Sequence, residues 1–365
     1  MDLSSLAARR TAVLAVEVPG SSRTRCALEQ HVRARGWRLA GSPADADLLV
    51  VCGRPGARLT AAVGHAWGQL PGPRARAEVT TADAVPAALD RAAAELADGA
   101  AQRRDADARP ADPDPGTSAT GDDGGMDMDS DGDMDGDSDG DMDMDMDMDD
   151  SGDMDHGDMD MDMPMPGGIG LAGGGGDDQL ADPDTLDLDV LHVPLGPVLP
   201  HWPAGLLLHT TLQGDLVVAA RAEVLLPADD SPTDPPVHGT PAGRWDAVAT
   251  LLALAGWDDA AVRAARVRDE LLAGGQPTEA DRLARRITRS RLLRWSLRGL
   301  GPLPEGDAHD RLRHWLAGSG QRRTTELSAV ADLVTGLDLA SIRLVVASLD
   351  LDTADRVTVP VEAGS

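Results

Sequence analysis

The stretch from residue 103 to 184 limits what this chain can fold into more than any other feature. It is built from Asp, Gly, Pro and Met with no apolar periodicity, and such a composition cannot bury enough surface to offset the entropy of ordering it. It therefore reads as a long disordered acidic linker. Folding is left to residues 1–102 and 185–365, each the size of an ordinary domain. Between Asp122 and Asp162 there are 20 Asp and no basic residue; taking those twenty charges from the formal −29 leaves −9 for the rest. An acidic chain without a dominant basic stripe argues against nucleic acid as a partner.

The chain has no Phe, Tyr, Lys or Asn, so its cores must be built from Leu, Val, Ala and Trp. Before the linker, short apolar runs alternate with helical patterns, the signature of an open parallel α/β sheet of the flavodoxin-like kind. Strands are expected over 11–18, 47–52 and 76–81, and helices over 22–36, 59–70 and 84–101. Leu48-Leu49-Val50-Val51 is apolar at every position, as in a strand covered on both faces. Gly53-Arg54-Pro55-Gly56 follows that strand but lacks the Walker ending and the three-glycine fingerprint, so it reads as a plain strand-to-helix turn.

After the linker, the pattern changes to α+β: a small antiparallel sheet and a helical bundle. Strands are expected over 186–193, 206–212 and 216–225, with Gln213-Gly214-Asp215 at a hairpin turn. Asp258 or Asp259 is expected to cap a helix whose buried face is Ala260, Ala264, Val267 and Leu271. Thr278 and Asp281 have capping spacing for the next helix. There Arg282, Arg285, Arg286 and Arg289 oppose Leu283 and Ile287, and past Ser290 the pattern inverts. Either the helix breaks near Ser290 or it is basic on both faces. Residues 263–298 hold ten Arg against four acids, the one basic region, which the acidic linker could itself occupy.

Two segments resemble a known family. Gly41-Ser42-Pro43-Ala44-Asp45-Ala46-Asp47-Leu48-Leu49-Val50-Val51-Cys52-Gly53, with Trp67, Gln69, Pro71, Pro73 and Arg74, resembles the 20-kDa-type subunit of NADH-quinone oxidoreductase, respiratory complex I, and the related small subunits of nickel-iron hydrogenases. Gly196, Pro197, Pro200, Leu206, Leu212 and Gly214 resemble the start of the 49-kDa-type subunit of the same complex. The resemblance implies a 20-kDa-subunit-like domain over 1–102 fused to a degenerate 49-kDa-subunit-like domain over 185–365.

The same resemblance sets ligand expectations. A [4Fe-4S] cluster needs four ligands, typically thiolates; the chain has two cysteines. Cys26 stands near the family's tandem cysteine pair, with Arg25 in place of the other member, and is the residual cluster-ligand position. Cys52 falls where the family has a small residue and reads as a buried, inert thiol. Where the family's two loop histidines face the quinone, this chain has Leu199 and Pro203, which can neither donate a proton nor hydrogen-bond a quinone oxygen. No Cys-x-x-Cys pair is present for a nickel-iron site.

The acidic tract offers separate metal chemistry. Met154, His156, Met159, Met161, Met163 and Met165 resemble the Met-Asp-His runs of bacterial copper-resistance proteins, and thioethers suit Cu(I). Asp127, Asp129 and Asp131, then Asp135, Asp137 and Asp139, reproduce the front half of an EF-hand loop without its terminal Glu.

The expectation is a cluster-less, non-catalytic relative of the 20-kDa-type and 49-kDa-type subunits without a resident cofactor, acting as a structural or regulatory interaction protein beside complex I-like or hydrogenase-like subunits. Two alternatives stand against it: an iron-sulfur electron-transfer subunit using Cys26, and a copper-handling protein using the Met tract. Without a basic start followed by an apolar run, and without about 18 consecutive apolar residues, a cytoplasmic location is expected, with any membrane met through a partner.

Overall fold

The computed structural model describes residues 11–109, 190–318 and 326–354. The acidic tract beyond 109, with its copper and calcium readings, lies outside them. In the first stretch, β1 (Ala12–Glu17), β2 (Arg38–Leu39), β3 (Leu48–Cys52) and β4 (Ala75–Val79) form one parallel sheet in the order β2-β1-β3-β4. Every residue of β3 is buried, because helices cover both faces of this central strand. Between the strands run α1 (Ser22–Ala34), α2 (Ala57–Gln69) and α3 (Val85–Ala97), as the sequence pattern predicts to within two residues at most ends. The helix expected over 84–101 is divided. Asp98 ends α3 and accepts hydrogen bonds from the backbone N–H groups of Ala100 and Ala101, starting α4 (Gly99–Asp107). A carboxylate placed to cap a new N-terminus here wins over continuing one helix.

Arg74 ties together the elements that follow β3. Its guanidinium lies 4.2 Å from the Trp67 ring centroid, ion-pairs with Asp105 at 3.0 Å, and donates to the Trp67 carbonyl. That pins α4 against the end of α2.

The second stretch opens with the antiparallel sheet β5 (Val190–Leu195), β6 (Leu206–Gln213) and β7 (Leu216–Val224). Gly214 takes φ 62 in the β6–β7 turn, a conformation glycine adopts without a Cβ clash. Helices follow: α5 (Pro241–Leu254), α6 (Asp258–Leu272), α7 (Ala280–Thr288), α8 (Arg291–Leu297), α9 (Ala308–Ala317), α10 (Leu327–Val334) and α11 (Leu339–Leu349).

Two capping expectations are corrected. The residue before α6 is Trp257, and Asp258 and Asp259 fall inside the first turn, where they meet the helix dipole instead of capping it. Before α7 the cap position is Glu279, with no side-chain cap hydrogen bond, so Thr278 does not cap. The helix does break at Ser290, whose hydroxyl accepts from the Leu293 N–H to begin α8. The break lets Leu283, Ile287, Leu293 and Leu297 share one core although their helical phases differ.

The described residues on both sides of the acidic tract belong to a single compact unit. Leu207 and Leu225 of the second stretch enter the core beneath β1 and β3, beside Leu14, Val16, Leu49 and Val51. Backbone hydrogen bonds stitch the same seam: Gly56 N–H to the Leu226 carbonyl, Ala228 N–H to the Arg54 carbonyl, and Asp234 N–H to the Gly20 carbonyl. Gly205, at φ 67, lies so close that a Cβ there would meet the Leu225 carbonyl at 2.5 Å and Pro19 at 2.8 Å. Among the described residues no helix is long and apolar enough to cross a membrane.

Candidate functional site

The seam contains a buried ionic network that joins the two stretches. From β1 and α1 come Glu17, Arg25, Glu29 and Arg33; from α5 and α6 come Asp246, Arg268 and Asp269. Positions 25, 29 and 33 recur at helical spacing, so α1 turns all three toward the same neighbour. Arg25 Nε donates to Glu17 at 2.7 Å, Nη1 to Glu29 at 2.7 Å and to Asp246 at 3.1 Å, and Nη2 to Asp246 at 2.5 Å. Arg268 is 1% exposed; its Nη1 lies 2.7 Å from both Glu29 and Asp246, and its Nη2 lies 2.8 Å from Asp269. Arg33 also binds Asp269.

Burial acts on Glu17, Glu29 and Asp246, and the arginines decide the outcome for the last two. Burial would raise Glu29, yet Arg25 and Arg268 outweigh it and hold the carboxyl down at about 2. Asp246 is depressed by the same contest. Glu17 goes the other way: burial raises it, and its single arginine partner only partly compensates.

Cys26 sits inside this network, 1% exposed, with Sγ 4.0 Å from Asp246 Oδ1. Burial pushes its thiol up to about 12 despite Arg25 and Arg268. Cys52 lies fully buried in β3, and burial raises it as well. Among the described residues, neither cysteine joins a group of three or more His, Cys, Asp or Glu able to share a metal ion. The one such group is Asp307, His309 and Asp310, where Asp307 and Asp310 form the capping box of α9. Met154, His156, Met159, Met161, Met163 and Met165 lie outside the described residues.

Beside the network a cleft of about 120 Å³ opens between β1, β2, the 197–204 loop, α5 and the end of α11. Leu199 and Pro203 both line it, with Leu39, Trp202 and Val346. Nothing in the sequence pointed to His201, which lies between these two positions. His201 takes φ 58, a region non-glycine residues seldom enter, and this turns it to the cleft. Burial lowers its pKa, so the imidazole is held toward the neutral form. On the far side His238 Nδ1 lies 3.5 Å from Asp350 Oδ1.

Gly196, Leu206 and Leu212 carry backbone and core roles. A Cβ on Gly196 would collide with the Leu206 carbonyl and the Trp202 indole, which hydrogen-bond each other at 2.8 Å. Leu206 and Leu212 are buried in the core beneath the antiparallel sheet. The Gly53–Gly56 turn is no anion cradle, because a Cβ on Gly56 would meet the Leu226 carbonyl at 2.7 Å: the second stretch covers the loop.

Comparison of the chain with protein-family models, with curated proteins and with solved structures finds no match.

Proposed function

We propose that this chain is a cluster-less, non-catalytic relative of the 20-kDa-type and 49-kDa-type subunits of complex I-like and hydrogenase-like assemblies, acting as a structural or regulatory interaction protein. The observation that carries the reading is Arg25. It stands where the resemblance puts one member of a tandem cysteine pair, and its guanidinium bridges Glu17, Glu29 and Asp246. A position suited to a metal ligand is thus used to bind the two stretches together. The parallel sheet order β2-β1-β3-β4 supports a flavodoxin-like first domain, as in the family resembled.

An interaction role has a surface to use. On α8, Leu292 and Trp295 are 75% and 79% exposed, with exposed Arg291, Arg294 and Arg298 around them, Arg285 and Arg286 on neighbouring α7 and Arg289 just past its end. Aromatic and arginine side chains together are the composition of interface hot spots. This reading takes the partner to be an acidic face of a complex I-like or hydrogenase-like subunit and the location to be cytoplasmic, the membrane being met through that partner.

The deciding experiment is anaerobic purification with iron, acid-labile sulfide and copper assayed per polypeptide and an EPR spectrum of the reduced sample. No iron or sulfide is expected. About four of each per chain would overturn the reading in favour of electron transfer, and stoichiometric copper would favour the Met tract.

A further inference from the structure

We infer that the cleft between β1 and the 197–204 loop is a binding site for a small organic cation, an amidinium, guanidinium or protonated amine on a compact apolar body, with Glu17 and His201 as its polar contacts. The inference does not rest on the reading above, and the metal assay cannot decide it.

Charge count comes first. The network beside the cleft holds four carboxylates, Glu17, Glu29, Asp246 and Asp269, against three guanidiniums, Arg25, Arg33 and Arg268. Asp350, 3.5 Å from His238, stands on the opposite wall and is not counted in this balance. This leaves one more carboxylate than guanidinium in a partly buried network, a difference that a proton or a cation can meet, although Arg343, which donates to the Pro200 carbonyl, stands on the other side of the loop.

Availability of atoms comes second. Both oxygens of Glu29 and both of Asp246 are occupied by arginine. Glu17 gives only Oε2 to Arg25; among the described residues Oε1 accepts no hydrogen bond. Nor does any described residue hydrogen-bond or ion-pair with the His201 ring. A carboxylate oxygen and a neutral imidazole together accept N–H donors. An anion finds no spare guanidinium: the one lining the cleft, Arg25, spends all its nitrogens on carboxylates.

Size comes third. About 120 Å³ is somewhat less than the ~150 Å³ closed cavity that takes one benzene, so the open cleft holds one small ring at most and leaves the charged head near its mouth. The walls from Leu39, Leu199, Trp202, Val346 and Ala347 would cover the faces of a single ring, as apolar linings with a few placed polar groups do.

The test is isothermal titration calorimetry of the full chain with benzamidine, neutral benzamide and anionic benzoate, shapes that differ little except in charge. Benzamidine is expected to bind at least tenfold more tightly than benzamide, with no detectable benzoate binding. Glu17→Gln should weaken benzamidine at least tenfold and leave benzamide unchanged. His201→Ala lies outside the ionic network, so it should weaken benzamidine even if Glu17→Gln fails to fold. Absence of benzamidine binding at millimolar concentration, equal binding of benzamide, preference for benzoate, or indifference to both substitutions would each overturn the assignment.

Discussion

Replacing Arg268 with Met removes one guanidinium that three carboxylates share. Arg268 is 1% exposed, with Glu29 and Asp246 each 2.7 Å from Nη1 and Asp269 2.8 Å from Nη2. Deleting one partner of a buried ion pair costs about 3–5 kcal/mol, because the remaining charge is left without compensation. Arg25 still holds Glu29 and Asp246, and Arg33 still holds Asp269, which places the expected loss at the lower end, about 3 kcal/mol. With a urea m-value of about 2–3 kcal/mol/M, the midpoint followed by tryptophan fluorescence at pH 7 should fall by about 1–1.5 M. A pH signature separates this cause from simple loss of packing. In the parent chain Glu29 is held at about 2, so it stays ionised on going from pH 7 to 5. Without Arg268 its folded pKa rises, and the destabilisation should shrink as acid supplies the missing compensation. A loss below about 1 kcal/mol, or a deficit equal at both pH values, would refute the claim that Arg268 neutralises this seam.

Three further outcomes are expected. Stability of the unsubstituted chain should drop as pH falls from 4.5 toward about 2, because Glu29 is depressed from 4.5 to about 2 and Asp246 is depressed as well. Glu17 is raised and contributes the opposite sign, its cost appearing as pH rises through its folded value; urea midpoints across a pH series would expose a flat profile if the network is irrelevant. Leu225→Ala should cost about 2–5 kcal/mol by leaving a cavity in the seam, read as a lowered urea midpoint, whereas a double Leu292→Ser, Trp295→Ser chain should stay within about 0.5 kcal/mol of the parent, as surface changes do. Iodoacetamide at pH 8 should modify neither cysteine in the native chain and both in urea, by mass spectrometry, since both thiols are buried and that of Cys26 is pushed up to about 12; rapid native labelling of Cys26 would contradict its placement.

Local pattern carried much of the fold into the sequence. The run 48–51 announced a strand buried on both faces, and β3 is that strand. The β6–β7 hairpin was legible because Gly214 interrupts two apolar alternations, and the inverted phase of the arginines around Ser290 posed the choice between a break and a two-faced helix that Ser290 settles as a break. Capping was less legible: Thr278 and Asp258 have suitable chemistry, but chain entry from the preceding turns sets which residue adopts the cap conformation.

What tertiary structure alone decided is the partnership of distant charges. In the sequence Arg268 belongs to the one basic region, residues 263–298; in the fold it is buried against Glu29, 239 positions away. Likewise Arg25 stands out in the sequence only through a family resemblance, and only packing of α1 against α5 and α6 shows that it holds the two stretches together. His201 left no signal, because its role depends on a backbone angle and on walls contributed by elements on both sides of the acidic tract. Periodicity is a property of neighbours along the chain, so it specifies strands and helices; charge compensation and cavities depend on which surfaces meet, and that is fixed only when burial brings them together.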